Sequence, residues 1–184
     1  MIDNHQHILV GGVDEITNQS FDILKRFPAY KEMAQGEGAS YFLLSHQRSE
    51  STYAYVRKVA TFYKPENLEQ LQSKIIAFLS HQSLTASDID LVLTGKNGDC
   101  ETDKKYDTIT SRLFPNTSLA TYKYLCGEYP TANAFALWLA AKILKEKKIP
   151  PALLQNSITS GKINRILIYN QYLGDHHSFL LIEA

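Results

Sequence analysis

The stretch LCGEYPTANAFALWLAAKIL (residues 125–144) decides the fold. After Glu128 it carries no charge until Lys142. Helical spacing spreads Phe135, Leu137, Trp138 and Leu139 around the whole circumference, and a helix apolar all round must be covered all round. The stretch therefore predicts a buried helix over residues 131–147, closed by Pro150-Pro151 because proline removes a backbone donor. Trp138 and its neighbours are assigned to the core. One sheet covers one side of such a helix, so a second layer is needed against the far side. A glycine and a glutamate, Gly127 and Glu128, stand at its entrance.

Working outward from that helix, a β-branched run at residues 8–10 reads as a buried strand stopped at Gly11-Gly12. Residues 20–35 are mixed and helical in part, with Pro28 as the break. SYFLLS (40–45) and the aromatic and valine-rich 53–63 are strands. Leu68, Leu71, Ile75, Phe78 and Leu79 follow helical spacing and predict a helix over 66–82. A turn at 85–88 leads to a strand at 90–94. After the polar loop GKNGDCETD comes a helix over 103–114, with Thr102 or Asp103 as its N-cap. A short strand follows at 118–121. Strands at 166–169 and 179–182 flank a polar loop at 174–177. From residue 66 on, helix and strand alternate, which predicts right-handed crossovers and a mainly parallel sheet with an antiparallel pair at the end.

The chain has 184 residues, of which 44% are hydrophobic and 21% charged, the balance of a globular domain. Nineteen basic residues match nineteen acidic ones, so no long-range field draws in nucleic acid or an anionic membrane. The lysines at 142, 145, 147 and 148, interrupted by Glu146, read as the solvated end of a helix. The N-terminus lacks the pattern of a signal peptide, and the apolar run is too short to span a bilayer. Two cysteines, Cys100 and Cys126, form neither a disulfide framework nor a zinc spacing, which suits the cytoplasm.

Nothing in the motifs asks for a cofactor or a metal. GKNGD does not meet the phosphate-loop spacing. Asp99, Glu101 and Asp103 alternate as in a calcium loop, but the loop glycine and the distal glutamate are missing, and a helix-capping turn is the better reading. His176 and His177 are adjacent, so their side chains point apart, and both are placed in a polar hairpin loop. His5 and His7 read as exposed. No Gly-x-Ser-x-Gly elbow occurs. Glu128 gains from the dipole of the helix that follows it.

Six stretches, in order, resemble the later portion of a β-ketoacyl synthase of the thiolase-like fold. ILVGGVDE (8–15) is similar to the strand and double glycine after that family's nucleophile helix. GEGASYFLL (36–44) is similar to its GEGA turn and strand. DIDLVLTGKNGDCETD (88–103) stands where the family has its first histidine loop. TYKYLCGEYPTA (121–132) stands where it has a lysine and then Gly-His before the long buried helix. KIPPALL (148–154) and ILIYNQYLGDHHSFLLIEA (166–184) resemble its proline stretch and final hairpin. The resemblance implies an α/β layered sandwich around a central helix. One domain is expected over 1–184, with 1–63 as the tail of the family's first half and 64–184 as the second half.

The departures are chemical. Only seven residues precede the strand matched by ILVGG, so neither cysteine takes the nucleophile's place, and the chain is expected to be a fragment or a shortened product. Gly95 falls on the first histidine and Glu128 on the second, while Lys123 matches the family lysine. Decarboxylative condensation needs a thiolate and neutral donors for the developing oxyanion. A glycine offers no side chain, and an ionised carboxylate accepts rather than donates. The expectation is a degenerate ketosynthase-like protein, not catalytic alone, tied to fatty-acid or polyketide synthesis. One alternative is an accessory subunit of the chain-length-factor kind. Another is a different acyl-thioester enzyme using Lys123 and Glu128, with Asp99 as a third member of a vestigial site and a second possible partner for Lys123. The resemblance implies an acyl carrier protein or a ketosynthase subunit as partner, and a homo- or hetero-oligomer. Apolar surface that the family's first half would cover is expected to be bare.

Overall fold

The computed structural model describes residues 7–26, 33–156, 158 and 161–184. Its centre is a five-stranded sheet. The strands are β3 (Tyr55–Tyr63), β4 (Leu91–Thr94), β5 (Ser118–Thr121), β6 (Arg165–Tyr172) and β7 (His176–Glu183), in the order β3-β7-β6-β4-β5. The helices are α1 (Asn18–Leu24), α2 (Leu68–Ser80), α3 (Cys100–Leu113), α4 (Lys123–Cys126) and α5 (Ala132–Glu146). Alternation along the strands divides the core in two. Leu91, Leu93, Ile166 and Ile168 face α5, and Val92, Leu167 and Tyr169 face α2 and α3. Both faces of the central strands are covered, which is why they read as unbroken apolar runs.

β1 (Ile8–Asp14) and β2 (Gly38–Leu44) form a separate antiparallel pair. α5 packs against β6 and β7 and also against β2, so two sheets contribute to its cover, as its apolar circumference requires. The second sheet has only two strands among the described residues, and its cover is partial. Trp138 is 46% exposed and stacks obliquely on Phe135, which corrects its assignment to the core. The expected bare surface is present. Leu9, Val13, Tyr41 and Leu43 share one face of the β1–β2 pair, and each is more than half exposed.

Several boundaries differ from the sequence reading. β1 does not stop at Gly11-Gly12 but runs through both to Asp14, and it is largely exposed rather than buried. Gly12 lets it pass close to α5, since a Cβ there would lie 2.9 Å from the Thr131 side chain. The five-stranded sheet is evenly mixed rather than mainly parallel: β4 pairs in parallel with β5 and β6, whereas β7 is antiparallel to β6 and β3. α3 starts earlier than expected, at Cys100, because Asp99 rather than Thr102 or Asp103 is its N-cap. Pro28 and His5 lie outside the described residues, and His7 is exposed.

The paired histidines are not in a loop. Both belong to β7, and their side chains do point to opposite faces. His176 is exposed, whereas His177 is buried with Nδ1 3.1 Å from the Tyr169 hydroxyl. Burial, aided by the charge of Lys105, pulls the His177 pKa down to about 4. The unfolded chain takes up this proton below about pH 6.5, while the folded chain resists until about pH 4. Stability is therefore expected to fall as pH drops through that window, by up to about 3 kcal/mol from this group. Urea unfolding at pH 7.5, 6, 5 and 4 checks this. His177→Gln should flatten that part of the profile, and an unchanged slope in the variant would assign the loss to other groups.

Candidate functional site

The entrance to α5 is where the short glycine motifs meet. Gly127, at φ +75° and ψ −176°, closes α4 in a conformation reserved for glycine. Gly36 of GEGA lies directly against it. A Cβ on Gly36 would sit 1.9 Å from the Cys126 carbonyl oxygen, and one on Gly127 would sit 2.6 Å from Gly36 Cα. Two backbone bonds lock the crossing: Gly36 N–H donates to Glu128 O at 3.1 Å, and Glu128 N–H donates to Ala34 O at 2.7 Å. The N-cap residue of α5, Thr131, is held by a side chain from elsewhere. Asp14, from GGVDE, accepts from Thr131 N–H at 2.7 Å and from the Thr131 hydroxyl at 2.5 Å. Asp14 thus supplies the negative charge that the helix N-terminus favours.

Glu128 turns into the interior, at the carboxyl ends of the parallel strands. Its Oε2 accepts from Lys123 Nζ at 2.5 Å and from Asn97 Nδ2 at 2.7 Å. Lys123 and Glu128 are 1% and 2% exposed, so this is a buried ion pair. Lys123 also donates to Gln171 O at 3.2 Å. Burial lowers the Lys123 pKa, and the adjacent carboxylate works in the opposite direction. Glu128 accepts both of these bonds, so it is not an oxyanion donor in this arrangement. Its other oxygen, Oε1, is buried and has no hydrogen-bond partner among the described residues.

The position matched to the first histidine is filled rather than vacated. A Cβ on Gly95 would lie 2.2 Å from Asn170 Oδ1 and 2.9 Å from the Tyr106 hydroxyl. Asn170 is held there by the Tyr122 hydroxyl, which donates to Oδ1 at 2.9 Å. Tyr106 accepts from Gln171 N–H at 2.6 Å. Burial drives the pKa of both phenols well above the ordinary tyrosine range, so both stay protonated. A histidine side chain here would require Asn170 and Tyr106 to move aside.

Of the three candidate residues, Lys123 and Glu128 come together and Asp99 does not join them. Asp99 Oδ1 accepts from Glu101 N–H at 2.9 Å and Thr102 N–H at 3.0 Å, which is an N-cap role. Asp99 touches the site only through its own N–H, which donates to Asn97 Oδ1 at 3.1 Å. Asn97, Gln171, Tyr106, Tyr122 and Asn170 complete the network and were not singled out by the sequence. Asn97 carried the one available signal, an amide held between Gly95 and Gly98 just beyond a strand.

Cys126 does not have the setting of a nucleophile. Cys126 is half-buried, and burial pushes its pKa up to about 11. Cys100 is exposed on the first turn of α3. Iodoacetamide at pH 7.5 is expected to alkylate Cys100 and leave Cys126 at least tenfold slower. Peptide mass spectrometry over a time course checks this, and faster labelling at Cys126 would show an activated thiol.

No family model matches the chain, and no curated protein matches it. Solved structures do. A β-ketoacyl synthase from Burkholderia phymatum STM815 is similar over 99% of this chain and 55% of its own, with 15% identity and a TM-score of 0.72. The ishigamide ketosynthase/chain length factor is similar over 97% and 54%, with 16% identity and a TM-score of 0.75. A third is a type II polyketide synthase acyl carrier protein in complex with its ketosynthase bound to the hexaketide. It is similar over 97% and 52%, with 16% identity and a TM-score of 0.68. The chain thus spans about half the length of the solved structures it matches. Among the described residues, no helix is long and apolar enough to cross a membrane. The fold is the mixed α/β, thiolase-like fold of the ketosynthases.

Proposed function

We propose that this chain is a non-condensing ketosynthase-like element of fatty-acid or polyketide synthesis. It works by assembly with a ketosynthase subunit or an acyl carrier protein rather than by forming a carbon–carbon bond itself. The observation that carries this reading is Gly95, whose side-chain space belongs to Asn170 and Tyr106. The second histidine position supports it, because Glu128 there is engaged as an acceptor by Lys123 and Asn97. Neither residue supplies the neutral donors that stabilise a developing oxyanion. The bare apolar face of β1–β2 suits a chain that functions against a protein surface, as a homo- or hetero-oligomer.

The test is condensation itself. The purified chain is incubated with malonyl- and acyl-loaded acyl carrier protein, and carbon dioxide release and carrier-bound products are followed by mass spectrometry. Neither is expected above a protein-free blank. Product formation by the chain alone would overturn the reading.

A second reading, a different acyl-thioester enzyme built on Lys123 and Glu128, is favoured by one observation: Glu128 Oε1 has no hydrogen-bond partner among the described residues. Under that reading Glu128→Gln abolishes turnover of a thioester substrate. Under the assembly reading the same variant, where folded, keeps its partner binding.

A further inference from the structure

The β1–β2 sheet is apolar on the side where a surface sheet is ordinarily polar. Along β2 exposure alternates without a break. The register sets Leu9 opposite Leu43, Gly11 opposite Tyr41 and Val13 opposite Ala39 on one face. That face is turned away from α5, because Gly12, on the other face, lies against Thr131. None of the six residues is charged, and all six are exposed. Tyr41 lies across Gly11, where a Cβ would come within 2.3 Å of its ring, so the middle of the face is filled rather than notched.

The chain guards another exposed strand by ordinary means. β3, an edge of the five-stranded sheet, carries Arg57 and Lys58 and a bulge between Val56 and Lys58. Charges and irregularities of this kind keep strands from recruiting neighbours. β1 and β2 run in unbroken register, and the one charge in either strand, Asp14, is turned to Thr131. The bare face therefore belongs to these two strands and not to the chain's surface in general. Leu9, Val13, Tyr41 and Leu43 together expose roughly 500 Å², which is as large as the largest patch on a typical monomer. Two such faces together make about 1,000 Å², the least that a specific interface needs.

We propose that the β1–β2 faces of two copies of this chain pack together about a two-fold axis, sheet on sheet. An uncharged face meets itself without repulsion, and the axis repeats every contact in reverse. The axis passes near Gly11 and Tyr41, the middle of the three pairs. A tyrosine then sits at the centre, where interfaces concentrate their binding energy. The dimer rests on the assembly reading above and narrows it: a second copy takes this face, and a ketosynthase subunit or an acyl carrier protein has the rest of the surface.

The test is the mass of the purified chain by sedimentation equilibrium, from about 1 to about 100 μM. A closed dimer of the 20.8 kDa chain is expected at the upper end. Leu43→Glu sets an unpaired charge against apolar surface and should weaken association at least about 100-fold. Leu9→Ser, a milder change on the same face that serves if Leu43→Glu does not fold, should weaken it about tenfold. Val59→Glu, at an exposed position on β3, should leave the dimer intact. A monomer at the upper concentration, a mass that keeps growing past the dimer, a dimer untouched by the β1–β2 variants, or an equal loss in Val59→Glu would overturn the proposal. The condensation assay decides the assembly reading separately. A monomer that makes no product sinks the dimer alone, and product formation sinks that reading whatever the mass.

Discussion

Gly36→Ala and Gly127→Ala are each expected to destabilise the chain by about 3–5 kcal/mol, a large fraction of a domain's total stability. For Gly127 two costs combine. Its backbone lies in a region nearly closed to other residues, worth about 1–3 kcal/mol, and a methyl there strikes Gly36 Cα. For Gly36 the obstacle is a backbone carbonyl, Cys126 O, with no flexible side-chain end to yield. The two segments must part, which strains the bonds between Gly36 and Glu128 and between Glu128 and Ala34. Because both substitutions break one contact, the double variant should cost far less than the sum. Gly98→Ala is the control: it has positive φ but open space, and only about 1 kcal/mol is expected. Urea unfolding midpoints measure all four. A Gly127→Ala midpoint no lower than that of Gly98→Ala would mean that the two turns are not in contact.

This crossing also shows what the sequence reveals and what it hides. The long apolar run announced a helix needing cover on both sides, and α5 has sheets against it as that run demanded. Strand alternation and helical spacing placed most of the five-stranded sheet, because these signals are local. GEGA and Cys-Gly-Glu were visible as motifs, but neither could show that it exists for the other. Two glycines ninety-one residues apart meet only when the backbone is folded. Asp14 as the partner of Thr131, the N-cap residue of α5, was hidden for the same reason, since it arrives from 117 positions away. Asn97 was passed over because an amide between two glycines looks like any turn residue. Its role depends on Glu128 reaching it from the turn between α4 and α5. Trp138 erred in the opposite direction: it is apolar enough for the core, but the second sheet does not extend over it.

The largest electrostatic effect should come from separating Lys123 from Glu128. Lys123→Met leaves a buried carboxylate with only Asn97 as donor, and Glu128→Gln leaves a buried ammonium facing a neutral amide and Gln171 O. Each single change is expected to cost about 3–5 kcal/mol, because the remaining charge has lost its counterion away from water. Lys123→Met combined with Glu128→Gln removes both charges and keeps an acceptor for Asn97, so it should recover to within about 1–2 kcal/mol of the parent. Denaturant unfolding of the four proteins closes the cycle. Additive losses would mean that the two charges do not rely on each other. The cycle also bears on function through the double variant, which restores the packing while erasing this buried pair of charges. If assembly is the role, the double variant should bind its protein partner as the parent does, since the β1–β2 face lies outside the pair. If the pair performs chemistry on a thioester, the double variant should be stable and inert. Stability and activity then part company in one protein, which neither single substitution can show, because each is expected to lose both at once.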